Sequence, residues 1–145
     1  MTTILLVDDH PMVREGLRGM LDAEPDLTVV GEAGSGAEAI VMAESLCPDV
    51  ILMDLRMPDV DGVTATDRIL RRAPATRIIV VTTYESDTDI LRAVEAGAAG
   101  YLLKDASRAQ LADAVRDAAR GRTVLAPAVA AVRAVGGVVI ADEVQ

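Results

Sequence analysis

Residues 50–62 read VILMDLRMPDVDG, and the way that stretch divides decides the fold. Val50 to Met53 suit a strand buried on both faces, Asp54 interrupts them, and Pro58, Asp59, Asp61 and Gly62 are residues that turn a chain. A strand that ends on a carboxylate and passes at once into a loop places that carboxylate at the carboxyl edge of a sheet. Open parallel sheets carry their ligands at that edge.

Working outward, four further apolar runs flank this one: TILLV (Thr3 to Val7), LTVVGEA (Leu27 to Ala33), RIIVVT (Arg77 to Thr82) and GYLLK (Gly100 to Lys104). Segments of helical period separate them. In the first, Val13, Leu17 and Met20 or Leu21 share one face, with Arg14, Glu15 and Arg18 opposite. Val63, Thr66, Ile69 and Leu70 mark the third helix, Ile90, Leu91 and Val94 the fourth, and Leu111, Val115 and Ala118 the fifth. Gly97 and Gly121 stand where helices should stop, and Pro74 ends the third. Strands alternating with helices require right-handed crossovers between parallel neighbours, so the expected fold is α/β, a (βα)5 doubly wound sheet in the order 2-1-3-4-5.

Composition agrees with one core: the 145 residues are 51% apolar and 1% aromatic, with no Trp or Phe, so packing must be aliphatic. A net charge of -9 makes the chain a poor ligand for polyanions, and no direct nucleic-acid binding is expected of it. One cysteine, Cys47, excludes an internal disulfide and is read as a core thiol at a helix end. The apolar run after the amino terminus is too short for a signal peptide, and none approaches membrane-spanning length. A cytoplasmic chain with no membrane partner is expected.

In that strand order, Asp8 and Asp9 after the first strand meet Asp54 after the third. Three carboxylates within a few Å repel unless a cation intervenes, and a hard divalent ion fits best. Mg2+ takes one or two carboxylates, keeps several waters and accepts substrate phosphate oxygens. Lys104 adds a positive charge across the same edge, and the loop after Asp54 frees the backbone carbonyl of Arg56 for the metal shell. Three aspartates, Mg2+ and a lysine sum to zero charge, which leaves room for an incoming phosphoryl group on Asp54 as nucleophile.

With those residues in view, LLVDDH, VILMDLRMPDVDG, VVTTYE and AGAAGYLLKDA together resemble the receiver domain of bacterial two-component response regulators, nearest the NarL/FixJ subgroup with LuxR-type output. The resemblance covers roughly Thr2 to Arg122 and implies a flavodoxin-like receiver fold. It also implies roles: Asp8 and Asp9 hold Mg2+, Asp54 is the phosphoacceptor, Thr82 the switch hydroxyl, Lys104 the phosphoryl partner and Tyr101 the aromatic switch. A phosphoryl oxygen on Asp54 would draw Thr82 inward and open space for Tyr101, shifting the face of helix four, strand five and helix five. The donor is a sensor histidine kinase, and the chain is a signalling phosphoacceptor rather than an enzyme. Thr83, Tyr84 and Arg56 would line the approach of attacking water and set the phosphate's lifetime. His10, as the first helix begins, is assigned a local solvated or capping role.

Residues 1–122 are therefore read as the receiver and 123–145 as a linker or tail, with a short helix from about Pro127 to Val135. Members of the subgroup carry a helix-turn-helix output domain, and residues 123–145 offer neither the length nor the basic helix for one. The sequence is read as the receiver portion of a longer transcription regulator. A stand-alone or phosphate-independent receiver acting as a binding module is the alternative. Self-association on phosphorylation is expected through helix five or the apolar stretch Leu125 to Ile140. A Mg2+-dependent hydrolase with an Asp nucleophile is the enzymatic rival, but it needs a second Asp where Arg56 stands. A flavin carrier lacks its aromatic residues, and no Gly-Lys-Ser/Thr loop follows the first strand.

Overall fold

The computed structural model describes residues 1–83 and 87–125. Its elements run β1 (Thr2–Val7), α1 (Pro11–Asp22), β2 (Leu27–Ala33), α2 (Gly36–Leu46), β3 (Val50–Met53), α3 (Gly62–Arg72), β4 (Arg77–Thr82), α4 (Asp87–Glu95), β5 (Gly100–Leu103), α5 (Arg108–Ala119) and β6 (Val124–Leu125). All pairings are parallel and the order is β2-β1-β3-β4-β5-β6. The five expected strands thus lie in the expected order. A short sixth strand continues the sheet, with Gly100 opposite Val124 and Tyr101 opposite Leu125, in a stretch that by sequence belongs to the tail.

Near-continuous apolar strands make this a two-faced sheet. Ile4, Leu6, Leu52, Ile79 and Val81 pack with Leu17, Leu21, Leu111 and Val115 of α1 and α5. Their neighbours Leu5, Val7, Ile51, Met53 and Ile78 pack with Ala39, Ala43, Ala65 and Ile69 of α2 and α3. The period of two therefore sorts successive side chains onto opposite helical layers. Each fully buried Leu or Ile is worth about 1.5–3 kcal/mol against exposure, more than any surface ion pair at about 0–1 kcal/mol, so this packing sets the fold.

Helix ends follow local chemistry. Ser35 accepts from the Glu38 amide at 3.1 Å, Asp61 from Thr64 at 2.8 Å, and Ser107 forms a reciprocal capping box with Gln110. Gly97 and Gly121 adopt positive φ, 104° and 82°, as their places after α4 and α5 require. Cys47 departs from expectation. It ends α2 in the left-handed region at φ 47°, and its side chain is exposed rather than in the core. The Ile90 side chain, Tyr84, the expected helix Pro127 to Val135 and the stretch Leu125 to Ile140 beyond β6 lie outside the described residues. Among the described residues no helix is long and apolar enough to cross a membrane.

Candidate functional site

β1 and β3 are adjacent, with Val7 opposite Met53, so the residues that follow them emerge side by side. The Asp54 amide donates to the Val7 carbonyl at 2.9 Å and the Asp8 amide to Ala33 at 3.1 Å, which extends the ladder one step and fixes both backbones. Asp8 and Asp54 are 2% and 3% exposed, burial that carboxylates tolerate only with cationic or hydrogen-bonding partners. Lys104, one residue past β5, supplies the cation, with Nζ 2.8 Å from Asp8 Oδ2 and 3.4 Å from Asp54 Oδ1. Its amide donates to the Thr82 carbonyl at 2.9 Å, so the ends of β4 and β5 are tied together as well.

Burial and the charge of Asp8 push the Asp54 carboxyl up to about 6, against the opposing effect of Lys104 and the Arg56 amide. Burial works against the Lys104 ammonium, but its hydrogen bond to Asp8 and the charges of Asp54 and Asp8 outweigh that, and its pKa lies above the ordinary lysine value. Asp54 is thus a carboxylate short of positive charge.

One oxygen nearby shows what kind of charge would fit. Asp9 Oδ1 is buried and accepts no hydrogen bond. It lies 3.0 Å from His10 Nδ1, an ion-pair distance without hydrogen-bond geometry. Ligand atoms of Asp8, Asp9, His10 and Asp54 all fall within 4.8 Å of one another. An unsatisfied carboxylate oxygen beside two buried carboxylates is a donor set for a hard divalent cation.

The other sequence-derived residues take defined places. Thr82 is buried at the carboxyl end of β4. Arg56 is exposed, and its amide faces Asp54 Oδ1 at 3.4 Å. Tyr101, opposite Val80, is 1% exposed and packs with Leu55, Val80 and Ala93 beneath α4. Thr83 is exposed.

Two further side chains border the site. His10 caps α1 without a side-chain cap bond, and its ring turns toward the acids, with Nδ1 3.2 Å from Asp8 Oδ1. Arg14, placed by helical period on the polar face of α1, is 18% exposed; it bonds the Asp8 carbonyl through Nη1 and Glu32 through Nε at 3.1 Å. Only the adjacency of α1 and β2 brings Arg14 and Glu32 together, so spacing along the chain carried no signal for that pair.

The family described as the response regulator receiver domain matches residues 4–116. The transcriptional regulatory protein LiaR of Bacillus subtilis is 47% identical over 130 residues, spanning 90% of this chain and 62% of that protein. The response regulator protein VraR of Staphylococcus aureus is 46% identical over 126 residues, 87% of this chain and 60% of its own length. The chain therefore spans about 60% of these relatives. Among solved structures, a LuxR-family two-component response regulator from Aurantimonas sp. SI85-9A1 superposes with a TM-score of 0.85 at 38% identity, covering 90% of this chain and 93% of that one. The isolated receiver domain of RcsB from Salmonella enterica serovar Typhimurium, with the phosphomimetic BeF3-, gives a TM-score of 0.80 at 27% identity, over 89% and 96% of the two chains.

Proposed function

The chain belongs to the response regulator receiver family, and from that premise we propose that Asp54 accepts a phosphoryl group from a sensor histidine kinase, with Mg2+, and that the resulting charge switches an output. The observation that carries the proposal is Asp54 itself: a buried carboxylate beside a second one, with a single lysine shared between them.

Asp8, Asp9 and Asp54, with the Arg56 backbone carbonyl, are the residues that would hold Mg2+. When bound, the ion supplies Lewis-acid polarisation of phosphoryl oxygens and offsets their charge. An Asp54 carboxylate oxygen attacks phosphorus, the bond from phosphorus to the donor histidine nitrogen breaks, and an acyl phosphate remains on Asp54. Lys104 moves from sharing two carboxylates to pairing with the phosphoryl oxygens. Thr82 donates its hydroxyl to one of those oxygens, which draws the end of β4 inward. Tyr101, already buried between β4 and α4, is the side chain whose packing then reports the change along α4, β5 and α5. Thr83 and Arg56 flank the approach of water and set how long the phosphate lasts.

Residues 1–122 form the phosphoacceptor unit in this reading, with β6 as its last sheet contact. LiaR is named a transcriptional regulatory protein. By that likeness the output is transcription through a DNA-binding domain outside this chain, and the proposal includes a homodimer formed on phosphorylation. The hydrolase alternative has little support, because an exposed arginine stands where its general acid would be.

Intact-mass measurement after incubation with a small acyl phosphate and Mg2+ tests the proposal. Wild type should gain one phosphoryl group and Asp54→Asn none. Equal labelling of both, or repeated turnover of a phosphate ester by the wild type, overturns it. Sedimentation of the two forms tests the dimer, and a monomer in both overturns that part.

A further inference from the structure

We infer that His10 is a nitrogen ligand of the metal site, so that this receiver binds imidazole-preferring divalent ions such as Zn2+, Co2+ and Ni2+ in addition to Mg2+, and binds them more tightly. The inference rests on the reading of Asp8, Asp9 and Asp54 as a cation site and goes beyond it. Its basis is the juxtaposition of His10 Nδ1 with two carboxylate oxygens, Asp9 Oδ1 at 3.0 Å and Asp8 Oδ1 at 3.2 Å.

Those separations are informative. Two ligand atoms at right angles on a metal with bonds of about 2.1–2.2 Å stand about 3.0–3.1 Å apart. The separations of Nδ1 from Asp8 Oδ1 and from Asp9 Oδ1 each match two neighbouring corners on one metal. Lys104 does not compete for this group of atoms, because its ammonium sits on the other oxygen of Asp8, Oδ2, at 2.8 Å. The His10 amide donates to Asp8 Oδ1 at 2.8 Å, which fixes the histidine backbone to the same carboxylate its ring faces. Pro11 opens α1 directly after it, and the backbone restriction before a proline holds the Cα from which the ring projects in an extended conformation. The ring is 65% exposed, so a metal can reach it from solvent.

The chemistry sets the preference. Mg2+ is hard and takes oxygen, whereas imidazole raises affinity for ions along the series from Co2+ to Cu2+ and for Zn2+. A neutral imidazole adds a donor without adding charge, so it leaves the charge balance of the site unchanged.

The chain holds one histidine, so a single ring reports the result. Cys47 is an exposed thiol that binds the same ions, and a Cys47→Ser background removes it. Calorimetric titration of that protein at about pH 7.5 should show His10→Asn weakening Zn2+ and Ni2+ by about tenfold or more. Mg2+ affinity should move by less than about twofold. In the unsubstituted-histidine protein, saturation with Zn2+ should shift the His10 ring resonances. A ring unmoved by Zn2+, or equal loss of all three ions in His10→Asn, overturns the inference. Wild type that still gains phosphate with Mg2+ in that event leaves the Asp54 reading standing, while wild type that gains none removes that reading instead.

Discussion

The Lys104 ammonium stands closer to Asp8, at 2.8 Å, than to Asp54, at 3.4 Å, so one cation is divided between two buried carboxylates. Its side chain is 16% exposed, and among the described residues removing the charge leaves both acids without a lysine or arginine side-chain partner. Breaking a buried pair by deleting one member costs about 3–5 kcal/mol, and partial exposure here brings the expectation to about 3 kcal/mol. Lys104→Met should lose that stability in metal-free urea denaturation and regain much of it on adding Mg2+. A variant equal to wild type without metal would show that the shared pair contributes nothing.

Asp54 gives a pH dependence whose sign follows from its raised carboxyl, about 6 against an ordinary 3.8. A group with a folded-state pKa above its unfolded value contributes stability that is fully present below the unfolded value and is lost as pH rises through the folded one. Metal-free protein should therefore weaken between pH 4 and 6 through this residue, by up to about 3 kcal/mol at about 1.4 kcal/mol per unit. Asp54→Asn should be the more stable protein above pH 6, by about 1–2 kcal/mol, with the difference vanishing toward pH 4. Chemical denaturation across that range, in chelator and then in Mg2+, checks the sign. Greater stability of wild type above pH 6 without metal contradicts it.

Gly62 tests why the loop after Asp54 needs its glycine. A Cβ there would collide with the Asp54 carbonyl and the Leu55 Cα, both backbone atoms, while the Gly62 amide donates to Leu55 at 2.9 Å. The requirement is close approach, not an unusual φ. Gly62→Ala should lower stability by about 2 kcal/mol, in the range of overpacked cores, and should slow phosphoryl acceptance because the displaced backbone is that of Asp54. Melting and labelling rates measured together check it, and normal labelling at reduced stability would separate the loop from the site.

How far the sequence carried these conclusions depends on which contacts are local. Strands, helix stops at Gly97 and Gly121, and the meeting of Asp8 with Asp54 follow from period and from the rule that parallel neighbours share an edge, and all are observed. The β6 strand was not legible, because two residues pairing with Gly100 and Tyr101 carry no periodic signal. Cys47 is exposed and not in the core because α2 ends there in a left-handed turn, which the apolar neighbours Leu46 and Pro48 do not signal. The His10 and Arg14 contacts depend on side-chain direction in three dimensions, which spacing alone does not give.

Arg116 on α5 carries the last prediction. It reaches Glu24 at 2.6 Å, Asp26 at 2.8 Å and Asp113 at 3.3 Å, and so ties α5 to the turn between α1 and β2. The hydrogen bond from Arg116 holds the Asp26 carboxyl down to about 2, against burial, from 3.8. A lowered carboxyl contributes stability that is present above its unfolded value and is lost as pH falls through the folded one, here from about 4 down to about 2. Asp26→Asn should therefore melt below wild type at neutral pH and converge with it as pH approaches 2. Because the network faces solvent, the neutral-pH gap should also shrink in about 1 M salt, where screening acts over about 3 Å. Melting curves over pH and salt check both trends, and a gap that persists unchanged at low pH would mean Asp26 acts through packing and not through charge.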